Sequence, residues 1–229
     1  MSKAMIVIER TTENEDATAA LAAGVASVLQ PGDVIALEGD LGAGKTTFTR
    51  GLCAALSVNT ALVSSPTFVF VNQYPVPNAA KNALAGGRVT HVDAYRLTSV
   101  EDLDALGWDR LFDVTTRQAA DDSVALIEWP RRIEAALPEE CAWIEIAASG
   151  PSRRQFTLRL PASWENRKFM EWLRDREPTK CRVTGRWVSP TSPTYPFIDD
   201  RARDADMYQW FTGGYKTSRE VKPTDEESV

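Results

Sequence analysis

Several things are scarce in this chain. Three cysteines and a single histidine stand among 229 residues. Cys53, Cys141 and Cys181 are scattered, odd in number and nowhere spaced as C-x-x-C, so neither a disulfide framework nor a cysteine metal site is expected. They suit small core or surface positions in a reducing compartment. Basic charge is not in excess: the net charge of −6 argues against a nucleic-acid grip over the whole surface and leaves only a local basic patch open. No apolar run approaches the roughly 18 residues of a membrane span. The one that opens the chain, around Met5–Ile8, is too short for a secretory leader. A cytoplasmic protein without a membrane segment is the expectation. Its 43% hydrophobic content supports one large domain, or one domain with an extension.

What is present centres on Gly39-Asp-Leu-Gly-Ala-Gly-Lys-Thr46, which reads G-x-x-x-x-G-K-[ST], a phosphate-binding loop. Phosphates concentrate negative charge in a small volume. A loop that wraps them must bring its backbone N–H groups close, and Gly39, Gly42 and Gly44 remove the side chains that would obstruct this. Asp40, Leu41 and Ala43 complete the loop, and the N–H groups from Gly42 to Thr47 are expected to converge on the phosphates at a helix start. Lys45 supplies a point charge, and the Thr46 hydroxyl a ligand for Mg²⁺. The context agrees. Val34–Glu38 is a short apolar run fit for a buried parallel strand, and Thr46–Leu56 places Phe48, Leu52 and Leu56 on one helical face.

Along the rest of the chain, Met5–Ile8 reads as a strand. Thr12 with Glu15 reads as a capping box that opens a helix to about Leu29, with Ala17, Leu21, Val25 and Leu29 in line. A strand is expected from about Thr67 to Tyr74, preceded by the polar turn Ser64–Thr67, in which Thr67 is either a switch that senses a γ-phosphate or part of a plain Ser/Pro turn. Pro75–Gly87 reads as a hairpin loop. Arg88–Asp93 and Ser123–Glu128 are apolar strands that each end in an acid, where open α/β sheets place ligand chemistry. Asp93 is a candidate Mg²⁺ ligand, or a cap for the next segment, although Ser99 suits that role better. Glu128 is a candidate for Mg²⁺ or water positioning, or a strand-end ion pair. His91 shares a strand face with Asp93 and is either a packed residue or a base. Val100–Leu106 reads as a short helix. Cys141–Ile146 and Arg154–Leu160 alternate as an antiparallel hairpin.

Taken together, Gly39–Gly51, Ser65-Pro-Thr-Phe68, His91-Val-Asp-Ala-Tyr-Arg-Leu97, Glu101-Asp-Leu103 with Leu106-Gly107, and Ile127-Glu-Trp-Pro130 resemble the TsaE family, formerly YjeE, over residues 1 to about 160. The resemblance implies a three-layer α/β fold with a mixed, mostly parallel sheet. It implies a Mg²⁺-dependent ATPase that works with TsaB and TsaD in making N6-threonylcarbamoyladenosine at position 37 of tRNA, resetting that pair rather than joining the base chemistry. It makes Lys45, Thr67, Asp93 and Glu128 the catalytic set, Thr46, Asp93 and Glu128 the Mg²⁺ ligands, and Trp129 the aromatic beside the nucleotide. tRNA contact would come through the complex. Absence of the guanine-reading N-K-x-D string agrees with ATP. Two rivals stay open: a P-loop kinase with another phosphate acceptor, and a nucleotide-gated binding module without required turnover.

Residues 161–229 exceed the family pattern. Ser163 is a candidate cap for a helix through Arg174. From Glu177 the chain reads as irregular, with the last stretch from Thr217 disordered. It is nevertheless aromatic, with Trp187, Tyr195, Phe197, Tyr208, Trp210, Phe211 and Tyr215, which low-hydrophobicity disorder tends to lack. It either wraps these rings over the core or offers them to a partner protein or tRNA.

Overall fold

The computed structural model describes residues 5–66, 70–97, 102–103, 108, 112–113, 118–119 and 122–212. In chain order the regular elements are β1 (Met5–Thr12), α1 (Glu15–Ala26), β2 (Val34–Glu38), α2 (Lys45–Ala55), β3 (Val71–Pro75), β4 (Arg88–Asp93), β5 (Phe112–Asp113), β6 (Gln118–Ala119), β7 (Ser123–Glu128), β8 (Ala142–Ala148), β9 (Arg154–Pro161), α3 (Met170–Asp175), β10 (Thr179–Lys180), β11 (Trp187–Val188) and α4 (Asp200–Phe211), with 3₁₀ turns at 60–62, 130–136 and 162–164.

Seven strands form one mixed sheet in the order β1-β9-β8-β2-β7-β4-β3. The strands β8, β2, β7 and β4 are mutually parallel, β9 is antiparallel to both β8 and β1, and β3 is antiparallel to β4. Only β9 and β3 therefore run against the rest. The central strands are buried on both faces, which is why they read as continuous apolar runs. Ile35 and Leu37 of β2 and Val124 and Leu126 of β7 face the larger core beneath α1 and α2. Val34, Ala36, Ala125 and Ile127 face a second core closed by Leu97, Leu103, Trp108, Ile133 and Leu137. The result is the three-layer α/β arrangement. The two layered helices approach closely at Gly51, where a Cβ would lie 2.8 Å from the Ala19 Cα.

Some expectations are corrected. The cap of α1 is Asn14, whose side chain accepts from Ala17 N–H, because Thr12 is still the last residue of β1 and spends its hydroxyl on Thr18 at 2.8 Å. That helix stops at Ala26 with Ser27 as its C-cap, although Leu29 is buried as its apolar register implied. Strand β3 begins at Val71, since Phe70 adopts a left-handed φ of 65° that breaks an extended run. Thr67–Val69 and most of the helix expected at 100–106 lie outside the described residues, as does Thr217 onward. The 75–87 connection buries Val76 and Leu84 in the larger core. Ser163 caps no long helix: its hydroxyl donates to Glu140, and α3 starts only at Met170 after Phe169 at φ 69°. Beyond Glu177 the chain is regular in part, with the β10–β11 hairpin and a 12-residue α4 capped by Asp199.

Candidate functional site

The end of β2 and the start of α2 hold the phosphate loop. Gly39 has φ 155°, and a Cβ there would sit 2.5 Å from the Ile146 carbonyl oxygen, so no larger residue fits. The loop turns on the Ala43 N–H to Asp40 carbonyl bond of 3.0 Å and enters α2 through Gly44 at φ 109°. Lys45 is 5% exposed and donates from Nζ to the carbonyls of Gly39 at 2.6 Å and Asp40 at 3.1 Å. Burial pushes its ammonium below the ordinary value, while Glu128, Asp93, Glu38 and Asp40 pull it back up.

The register places the two acids side by side. Glu128 pairs with Leu37 on one flank and Asp93 on the other, so both carboxylates reach the same level of the sheet edge just past the loop. Both are nearly fully buried. Glu128 Oε1 accepts from the Thr46 hydroxyl at 3.0 Å and lies 3.0 Å from His91 Nε2. Asp93 accepts from the Ser65 hydroxyl at 2.9 Å and from the Tyr95 N–H at 3.0 Å. Thus Glu128, rather than Asp93, is tied to the hydroxyl of the phosphate loop. His91 is fully buried, and its Nδ1 has no hydrogen-bond partner among the described residues.

Trp129 follows Glu128 at φ 60°, ψ 46°, a strained left-handed conformation for an aromatic residue. Its ring lies 3.8 Å beneath Lys45 Nζ and packs on Tyr95 with centroids 5.0 Å apart. A cavity of about 460 Å³ opens between these groups, lined by Leu41, Gly42, Gly44, Lys45, Thr46, Thr47, Ser65, Asp93, Tyr95, Glu128 and Trp129. The expected residues from the loop, from β4 and from β7 therefore meet in one place. Thr67 lies outside the described residues. Tyr95 and Arg154, which bonds the loop carbonyls Ala43 and Gly42, were not singled out by the sequence reading. Tyr95 stood inside a quoted motif, whereas Arg154 sits in an ordinary alternating strand and carries no local signal.

The donor set bears on Mg²⁺. Among the described residues no group of three or more His, Cys, Asp or Glu side chains could hold a metal by itself. Mg²⁺ is instead commonly held by one or two carboxylates together with substrate phosphates. A hydroxyl and two buried acids facing a phosphate loop fit that pattern.

A family model described as threonylcarbamoyl adenosine biosynthesis protein TsaE matches residues 12–156. The chain belongs to the TsaE family. Among TsaE relatives, the tRNA threonylcarbamoyladenosine biosynthesis protein TsaE of Bacillus subtilis is 38% identical over 147 residues, which span 64% of this chain and 82% of that one. The protein of the same name from Treponema pallidum is 32% identical over 137 residues, spanning 58% and 87%. A solved structure, YdiB of Bacillus subtilis, superposes with a TM-score of 0.53 at 31% identity over 75% of this chain and 97% of that one. The TsaE match takes in the phosphate loop, both acids and Trp129, and ends inside β9, before the extension. No helix among the described residues is long and apolar enough to cross a membrane.

Proposed function

We propose that this TsaE-family chain binds and hydrolyses Mg·ATP as an accessory to TsaB and TsaD homologues in synthesis of threonylcarbamoyladenosine on tRNA. One observation carries the reading: three separate stretches, the loop at 39–47, the end of β4 and the end of β7, bring a lysine, a hydroxyl and two buried acids onto one cavity. In this reading the N–H groups at the start of α2 and Lys45 receive the phosphates. Thr46, Asp93 and Glu128 would hold Mg²⁺, which would supply positive charge to offset that of the nucleotide phosphates. Ser65 and the Tyr95 N–H hold Asp93, while His91 holds Glu128. Both acids are thus oriented before nucleotide arrives, which limits reorganisation during the reaction. Trp129 and Tyr95 form an aromatic wall beside Lys45. In this reading the chain works in the cytoplasm, alongside the tRNA that is modified.

The test is ATP hydrolysis by the purified chain, alone and with the cognate TsaB–TsaD pair, with Lys45→Ala as control. Hydrolysis that rises with the pair and is abolished in the variant is the expected result. No response to a pair of verified activity overturns the accessory role. Phosphate transfer to an added acceptor instead of water makes the chain a kinase.

A further inference from the structure

Arg154 opens β9, at the end of the turn that joins it to β8. Its Nε donates to the Ala43 carbonyl at 2.8 Å, and one terminal nitrogen donates to the Gly42 carbonyl at 3.3 Å. The other terminal nitrogen donates to the carbonyls of Arg153 at 2.9 Å and Gly150 at 3.3 Å. Every acceptor is main chain: two in the phosphate loop, two in the β8–β9 turn. In a trans peptide the C=O and the following N–H point opposite ways. Holding the Ala43 carbonyl outward therefore aims the Gly44 N–H the other way. Gly44 lines the cavity, and a Cβ on it would lie 3.8 Å from Arg154 Nε, so the guanidinium backs the loop directly.

We propose that Arg154 is a positioning residue that holds the phosphate loop in its anion-binding form from behind and adds a permanent positive charge to it. The proposal rests on the nucleotide-binding reading above. Lysine cannot replace the residue, because one ammonium cannot span acceptors on two chain segments as a planar fork does.

The experiment is calorimetric titration of ATP and ADP into wild type, Arg154→Ala, Arg154→Lys and Lys45→Ala, with melting of each nucleotide-free chain. Both Arg154 variants should bind nucleotide about tenfold or more weakly, as expected for losing charge-assisted bonds that order the loop. Their melting temperatures should fall by only a few degrees. Binding retained in both Arg154 variants but lost in Lys45→Ala overturns the role of Arg154 alone. Absence of nucleotide binding by wild type overturns this proposal and the proposed function together. Collapse of the fold in both variants also overturns it, since Arg154 would then serve the fold and not the loop.

A separate set of residues carries a second inference. The chain from β10 turns tightly through Gly185 at φ 70° and returns as β11, with Gly185 N–H on the Cys181 carbonyl and Cys181 N–H on the Arg186 carbonyl, both at 2.8 Å. Cys181 is 1% exposed and packs with Val188, Ile198 and Ala202, the last two flanking the Asp199 cap of α4. Burial pushes its thiol up, but bonds from the Thr184 hydroxyl and the N–H groups of Ile198, Thr184 and Val183 outweigh this and leave it below the ordinary value. A knuckle that turns N–H groups onto a sulfur, facing the first turn of a helix, is how four-cysteine zinc fingers are framed. Positions 181, 184, 198 and 202 pair up at the short separations such ligands use, with Cys181 and Ala202 buried, Ile198 half-buried against them and Thr184 exposed beside the thiol. Threonine, isoleucine and alanine occupy three of them. We infer that residues 179–203 form a metal-finger frame whose centre is filled by apolar packing in place of a metal ion.

Restoring the ligands tests this. The variant Thr184→Cys/Ile198→Cys/Ala202→Cys should take up one Zn²⁺ per chain, show the visible bands of a tetrahedral thiolate site with Co²⁺, and melt higher with zinc than with chelator. Wild type should retain no zinc after dialysis. Zinc retained by wild type overturns the inference. So does a restored variant that stays folded without binding metal, or that fails to fold even with zinc. Thr184→Cys/Ala202→Cys, which keeps Ile198 in the centre, should bind more weakly through three thiolates; no binding by this pair counts equally against it.

Discussion

At the scale of single residues, the site couples charge to a reporter. Lys45 rests over the Trp129 ring and on two loop carbonyls, contacts it exchanges for phosphate in the proposed function. Nucleotide should therefore change the emission of one tryptophan among seven. A titration of Trp129→Phe should lose that change while keeping affinity within about threefold, as for loss of a partly exposed cation–π contact. An unchanged signal in the variant would place the reporter elsewhere. Asp33 is the second residue with a consequence. It forms a two-pronged pair with Arg167, at 2.5 and 2.9 Å, yet burial raises its carboxyl above 3.8, against the pull of Arg167 and the Gln30 N–H. A folded value above the unfolded one means the native chain holds more protons between the two values. Stability contributed by this group is present at the acid side of that window and is lost as pH rises through it. The stability advantage of wild type over Asp33→Asn, read from urea midpoints, should accordingly shrink as pH climbs from about 4; an advantage that grows with pH would mean that the ion pair outweighs the burial.

At the scale of elements, close helix packing decides what can be changed. Gly51→Ala sets a methyl against the Ala19 backbone, which is not the end of a flexible side chain and cannot swing away. The two helices must separate, at a cost of about 1–3 kcal/mol measurable by urea unfolding. This scale also explains what was readable in advance. Strands β2, β4 and β7 were legible to within a residue because fully buried parallel strands leave continuous apolar runs with an acid or glycine at the end. The phosphate loop was legible because its chemistry is local. Arg154 was not: its partners in the phosphate loop lie more than a hundred positions away, and only pairing of β8 with both β2 and β9 brings its turn against the loop. The cap of α1 was misread because Thr12 and Asn14 are both good caps, and the ladder with β9 claims Thr12 first. The α4 helix was missed because its faces are mixed, with Met207, Tyr208, Trp210 and Phe211 exposed and only Ala202 buried.

At the scale of the whole molecule, the apolar core does not end where the family match ends. Trp164, Met170 and Leu173 are at most 1% exposed and belong to the core beneath α1. Arg10 of β1 donates to the carbonyls of Leu173, Arg174 and Arg176, which fastens α3 to the sheet edge. Cys181, Val188 and Ala202 form a cluster of their own. A chain ended after residue 160 should consequently be insoluble or melt well below wild type, whereas one ended after residue 176 should keep a cooperative transition. Equal melting of both truncations would show that α3 adds nothing to the core. Leu173→Ala should destabilise by about 2–5 kcal/mol, as for other buried leucines.

The β1–β9 ladder has a consequence for synthesis on the ribosome. Met5 pairs with Pro161 and Thr12 with Arg154, so β1 is made long before the strand it pairs with. At translation rates of about 5–20 residues per second, it waits on the order of ten to thirty seconds. During that interval the sheet lacks one edge, and β1 is free to pair with a neighbouring nascent chain. The adjacent charges Glu9 and Arg10, which follow the apolar run Met5–Ile8, act as a safeguard during the wait, since charges on an unpaired strand discourage such association. Replacing Glu9 and Arg10 together by valine should lower the soluble yield far more when translation is slowed than when it is fast.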